Sequence, residues 1–389
     1  MEVFEASQDL CKILWVVGWS ASQFSRRALS RFGDVVDVTD MDEIETVGHI
    51  VTARPDGILV FNDPAIKLAA EVADRLGLTF HSQHTADLLT DKLKQRAAFE
   101  RRGIPVPVFT DVRAGDISVD FPFPAVLKPR TGAGSRDTFR VENTDEVDEV
   151  LARCSPTEEF ILEEWLADRD RSPRLSSDIV SVESVVRDGE IEHLIVTGRF
   201  PFAPPFRETG LYLPSELTAV ERDDVFRLAS AAAIALQIQH GILHTEIKLT
   251  PSGPRVIEVN GRQGGGISQL IRRVGGPSII LWALRLALGL DVGPIPTFAP
   301  SPISFLLLVV APVSATSLVS VSGVDELREL AGVSEIRRKL LPGNAVSSRR
   351  SSWSDHAIRV DGIVDSYAEL FSLIHEKIPS TLHLTWGGE

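Results

Sequence analysis

One stretch gathers residue types that together could hold a metal ion and a phosphate: HTEIKLTPSGPRVIEVNGRQGGG, residues 244–266. In extended backbone alternate side chains share a face, so His244, Glu246 and Lys248 lie on one side of a first strand. Glu258 and Asn260 share one face of a second strand over 256–260. Pro251, Ser252 and Gly253 supply the turn between them. Pairing Thr250 with Pro254 puts Glu246 opposite Glu258 and His244 opposite Asn260. Two carboxylates facing each other on a ladder repel. A hard cation between them removes that penalty, and magnesium takes carboxylate and amide oxygens. Arg262, two residues past Asn260, adds a fixed positive charge whose planar donors suit phosphate or carboxylate. Gly264, Gly265 and Gly266 let a ligand come close to the backbone. The competing reading is a surface hairpin in another register with scattered charges.

Other candidates lie upstream. Lys128 ends an apolar strand in PFPAVLKPRTGAGSRDTFRV, just before a loop over 130–136 that holds Gly132, Gly134 and Ser135. Such a loop can fold over phosphates and offer backbone N–H groups, with the lysine as a point charge. The spacing is not that of a Walker loop. Lys92 falls in the first turn of a helix and by itself reads as an exposed lysine. Glu163, Glu164, Trp165 and Leu166 follow a strand and could present backbone to a purine edge. Asp178 and Glu183 are carboxylates in a strand-rich region.

These residues must be positioned by the elements around them. Residues 1–90 alternate strands (13–17, 35–38, 57–61) with helices (20–31, 64–76), the pattern of a parallel sheet covered by helices. A helix over 91–102 ends at Gly103 and Pro105. Strands then dominate 122–200 (125–128, 138–141, 160–162, 179–186, 191–196), with a helix near 144–153. A long helix over 221–240, the hairpin at 243–260 and apolar helices to about 290 follow. The Gly- and Pro-rich segment 289–302 reads as a connector to a last unit, which opens with a strand over 304–310 and has helices near 325–331 and 364–376. The fold class is α/β and α+β, multidomain.

With 389 residues and 43% hydrophobic side chains, the chain can build two or three packed units. The formal charge of −14 argues against nucleic acid as a partner. No apolar run is long enough for a membrane span, and the first residues lack a secretory pattern. Two cysteines suit a reducing cytoplasm.

In order along the chain stand a lysine before GIPVP, a lysine before a glycine-rich loop, EEWL, HTE and EVNGR. That order resembles the ATP-grasp superfamily over about residues 10–380, and within it the L-amino-acid ligases of the bacilysin-synthetase type. The segments 183–199 and 204–217 are also similar to that subgroup. The resemblance implies a Rossmann-like domain over 1–90, an ATP-grasp central region over 91–300 with a nucleotide-binding part at 120–200, and a C-terminal lobe over 301–389 completing the fold. It implies ATP on Lys92, Lys128, Ser135, Glu163 and the backbone of Glu164 and Leu166, with Asp178 near the ribose. Magnesium, or manganese in its place, would sit on Glu246, Glu258 and Asn260. Arg262, with Lys128, would be catalytic, stabilising an acyl phosphate. Glu183, His193, Arg199, Glu208 and Arg262 would line the substrate pocket, and Gly266, where the subgroup carries bulk, would widen it. A homodimer is also implied.

The activity so expected is a carboxylate–amine ligation with an acyl phosphate, ADP and phosphate release, small carboxylate and amine substrates, and a place in specialised metabolism. Two readings compete: a nucleotide-binding regulator without turnover, and an ATP-grasp ligase for a carboxylate that is not an amino acid. A dinucleotide-dependent oxidoreductase is disfavoured, because VVGWSAS after the first strand lacks the GxGxxG fingerprint. The loop 199–216 reads equally as a lid or as an ordered surface loop.

Overall fold

A short helix, Glu2–Ser7, comes first, followed by a parallel pair, β1 (Leu14–Val17) beside β2 (Asp34–Asp37). The computed structural model describes residues 2–18, 23–113, 121–169, 175–347, 350–353 and 355–388, the side chains of 23–25 excepted. The helix expected over 20–31 stands at Gln23–Leu29, and residues 20–22 lie outside the described ones. No strand forms at 57–61. Ile58 and Val60 instead pack on the helix Ile66–Leu76, so their apolar surface is buried without a ladder. That helix stops at Gly77, in the left-handed region at φ 67°. Two further helices, Glu43–Ala53 and Gln83–Thr90, begin at side-chain caps from Asp42 and Ser82. The helix Lys92–Glu100 follows, capped by Asp91.

A four-stranded antiparallel sheet comes next, in the order β3–β6–β4–β5. Its strands are β3 (Phe109–Val112), β4 (Ala125–Pro129), β5 (Phe139–Val141) and β6 (Phe160–Glu164). The helix Thr144–Leu151 packs Val147 and Leu151 onto Ala125, Leu127, Phe160 and Leu162.

The centre of the molecule is an eight-stranded antiparallel sheet. In sequence it takes β7 (Ile179–Arg187), β8 (Glu190–Arg199), β9 (Gly210–Leu213), β10 (Gly241–Thr250), β11 (Gly253–Asn260) and β12 (Ile303–Val310). Past β13 (Ser317–Ser322) it adds β14 (Val333–Arg338) and β15 (His356–Val364); β13 pairs separately with β16 (His383–Gly387). The spatial order is β11–β10–β7–β8–β9–β12–β15–β14. The last unit is therefore hydrogen-bonded into the central sheet. The helix Ala219–Ala235 covers one face, burying Val225, Ala229 and Ala232 against Val182 and Val256. The helices Ile267–Arg273 and Ile279–Ala287 bury Leu270 and Trp282 with Val185 and Ile242. The apolar pattern near 364–376 forms Tyr367–Ser372, then a π turn Leu373–Lys377 and Ile378–Thr381. Among the described residues no helix is long and apolar enough to cross a membrane.

Candidate active site

The hairpin β10–β11 pairs Glu246 with Glu258 and His244 with Asn260, as its alternation suggests. The turn does not follow the expected pairing, however: Thr250 pairs with Gly253 and Leu249 with Pro254. A bulge between Glu246 and Ile247 corrects the offset by one residue, leaving Ile257 as the extra residue of β11. Bulges re-aim side chains, and here Ile257 and Glu258 both line the same cleft. The buried Arg96 donates to the Ile257 carbonyl and holds the bulge from behind. On the other side of β10, β7 sets Ser181 against Glu246 and Glu183 against His244.

Between the two sheets lies a cavity of about 630 Å³. Lys92, Lys128, Ser135, Glu163, Glu164 and Leu166 all line it. Lys128 Nζ is 2.7 Å from one oxygen of Glu163, and Arg96 Nε is 2.8 Å from the other. Burial opposes ionisation of Glu163, but Arg96 and Lys128 hold its pKa below the usual carboxylate value. Burial also lowers the pKa of Lys128 despite Glu163. Lys92, far from being a surface lysine, reaches Glu258 at 3.2 Å and donates to the Gly132 carbonyl at 2.9 Å. The loop 199–216 contributes Phe202, Pro204 and Phe206, and Phe206 packs against Trp165 with ring centroids 5.7 Å apart.

A second cavity, about 320 Å³, shares Ser135, Phe202, Glu246 and Glu258 with the first. Arg199, Glu208, His244 and Arg262 line it. Arg199 ties these together: it donates to Glu208, reaches Glu246 at 3.0 Å and lies 2.9 Å from His244 Nε2. Arg199 keeps its charge because Glu208, Glu246 and Glu183 outweigh burial. The same Arg199, with His244, holds the Glu246 pKa far below the carboxylate range against burial. For His244, burial opposes protonation while Glu183 favours it, lifting the pKa to about 9. Nδ1 lies 2.7 Å from Glu183 and donates to it, while Arg199 Nη2 stands 2.9 Å from Nε2. Arg262 donates to Asp63 through Nε at 3.1 Å and also through Nη2.

Four expectations change. Asp178 does not face the cleft: it is 2% exposed and its carboxylate takes the Arg169 backbone N–H at 2.9 Å and guanidinium at 2.7 Å. The acid that lines the cleft beside Lys248 is Asp168, two residues past Leu166. His193 is remote from both cavities: its ring lies between Ser184 at 2.8 Å and Ser230 at 2.7 Å and stacks on Phe226. Glu183 is wholly buried behind His244 and reaches no cavity wall. Gly266 does not widen the pocket, because a Cβ there would stand 2.8 Å from Leu306 and 3.1 Å from the Trp353 ring.

The donors fit a divalent cation held partly by phosphate. Glu246, Glu258 and Asn260 offer hard oxygens, and the Asn260 amide nitrogen is committed to the His244 carbonyl at 3.2 Å. Among the described residues no group of three His, Cys, Asp or Glu side chains is placed to hold a metal ion. The ladder repulsion that first suggests a cation is already relieved by side chains, Arg199 on Glu246 and Lys92 on Glu258. Sequence reasoning misses Arg96, Asp63 and Trp353. An arginine inside a helix, an Asn–Asp–Pro turn and a tryptophan beyond the connector show no local motif; only Asp168, beside EEWL, stands next to one.

A family model for the ATP-grasp domain matches residues 121–270. Carnosine synthase 1 of Gallus gallus is 30% identical over 68% of the chain, and the chain spans 30% of that protein's length. The L-arginine-specific L-amino acid ligase of Bacillus subtilis is 24% identical over 83% of the chain and 79% of its own length. The crystal structure of an L-amino acid ligase from Bacillus licheniformis superposes with a TM-score of 0.80 at 20% identity, covering 99% of this chain and 95% of that one.

Proposed function

We propose, from the ATP-grasp domain matched over residues 121–270, that the chain is an ATP-dependent carboxylate–amine ligase for amino acids or small peptides. One observation carries the reading: a nucleotide-sized cavity and a smaller polar one meet at Glu246 and Glu258. Substrates placed in the two would react at that junction. Lys92 and Lys128 would take phosphate oxygens, and Glu164 and Leu166 would offer backbone to the base. Glu246, Glu258 and Asn260 would hold magnesium, which neutralises phosphate charge when bound.

A substrate carboxylate oxygen attacks the γ-phosphorus, the bond to the bridging oxygen breaks, and ADP leaves with that electron pair. Arg262, steadied by Asp63, faces the acyl phosphate so formed. The amine attacks the acyl carbon, phosphate leaves, and the nitrogen loses a proton. Positioning and charge neutralisation supply the catalysis, as is general for phosphoryl transfer. The loop 199–216 with Trp165 would keep water from the acyl phosphate. A homodimer and a role in making a specialised metabolite belong to the same proposal.

ADP release measured against a matrix of amino-acid donors and acceptors, with products read by mass, tests the reading. Glu258→Gln should abolish both ADP and product. Full ligation in that variant would refute the assignment.

A further inference from the structure

Part of the wall of the smaller cavity is built by a strap from the C-terminal unit, residues 351–353. Trp353 is its working side chain. The indole N–H donates to Glu208. The ring edge lies where a Cβ on Gly265 would be 3.5 Å away and one on Gly266 3.1 Å away. Gly266 has φ 76°, so that position takes glycine for backbone reasons too. The backbone at 265–266 thus supplies no side chain, and Trp353 fills the space from across the cavity.

The strap is held in place. The Trp353 carbonyl accepts from Lys339 Nζ at 2.8 Å, the Ser352 carbonyl lies 2.8 Å from His356 Nδ1, and the Ser351 carbonyl accepts the Asp355 N–H at 3.0 Å. Its other end touches the glycine-rich loop: a Cβ on Gly134 would stand 2.5 Å from Ser351 Oγ. A side chain pinned in this way acts as a fixed wall.

Resting on the ligase reading above, we infer that Trp353 is the specificity-determining residue for the amino-acid side chain received beside Arg262. A substrate carboxylate held at Arg262 would direct its α-substituent along the 264–266 backbone, towards the indole. The pocket therefore takes amino acids with short side chains and rejects branched or aromatic ones. The Glu208 hydrogen bond keeps the indole in register with Arg199, so the wall and the charged groups move as one.

The test compares wild type, W353A and W353F across glycine, alanine, leucine and phenylalanine donors with one fixed acceptor. Hydrophobic pockets discriminate one methylene by about 10–200-fold. W353A should raise the leucine-to-alanine ratio of kcat/KM by at least about 10-fold. W353F keeps a ring over the glycines but loses the N–H to Glu208; its ratio should stay near that of wild type while kcat falls. The same ranking should appear as thermal stabilisation by each amino acid in the presence of magnesium and a non-hydrolysable ATP analogue. Should W353A lose its stabilisation by the nucleotide alone, W353L carries the comparison. An unchanged ranking in W353A overturns the inference while leaving the ligase reading intact. If no amino acid is turned over by or stabilises any form, though the nucleotide still does, the ligase reading fails and the inference with it.

Discussion

Arg96 and Asp63 are not the residues that a motif would select, yet each sets the position of one that is. Glu163 is 3% exposed and shared between Lys128 and Arg96. Removing one partner of a buried ion network leaves a buried charge uncompensated, at a cost of about 3–5 kcal/mol. Arg96→Leu should therefore lower the unfolding free energy by roughly that amount, read from urea midpoints. It should also weaken ATP binding, because Lys128 would then be drawn wholly to Glu163. Asp63 acts similarly on Arg262. Asp63→Asn keeps the shape but loses the charge that orients the guanidinium. A misplacement of about 1 Å costs on the order of 10²-fold in rate. We expect kcat to drop by about that factor with KM for ATP nearly unchanged, since Asp63 lies on the smaller cavity only.

Within the elements, the bulge in β11 lets one strand end at a tight turn and still present Glu258 opposite Glu246. The residue it releases, Ile257, becomes part of the nucleotide cleft. The β7–β8 hairpin shows a different use of a polar group. His193 is bonded to two serines and stacked on Phe226 of the long helix, and burial lowers its pKa to about 4. The ordinary histidine value is about 6.5. Between those values the unfolded chain binds a proton that the folded chain refuses, so stability is present above pH 6.5 and is lost as pH falls towards 4. The loss is on the order of 3 kcal/mol at pH 4. His193→Asn should be less stable at pH 7 but show a flatter decline between pH 6.5 and 4, measured by denaturant midpoints across that range.

For the whole molecule, the cleft joins the four-stranded sheet, the β11–β10–β7 side of the eight-stranded sheet and the loop 199–216. A ligand that touches all three stabilises the folded state by mass action, by about 2.7 kcal/mol at a concentration 100 times its Kd. Magnesium with ATP should raise the thermal midpoint accordingly. In Glu258→Gln that gain should shrink, because one of the two facing carboxylates no longer carries charge.

Local pattern determined a good deal. Alternation in HTEIK and RVIEVN placed five polar side chains on one face, and a strand over 125–128 ending at Lys128 was readable from its apolar run and the glycines after it. These are short-range properties, set by the period of the backbone and the chemistry of turns. The order of the motifs also pointed to the ATP-grasp family. Tertiary structure alone decided which carboxylates line the cleft. Asp178 and Asp168 are equally acidic in the sequence, and only the fold puts Arg169 on the first and the cleft beside the second. It likewise sent His193 into the core, seated Arg96 behind Glu163, and brought Trp353 across to Gly266 from far along the chain. Such choices depend on strands that are neighbours in space and distant in sequence, and a charge is satisfied by whatever the packed chain places beside it.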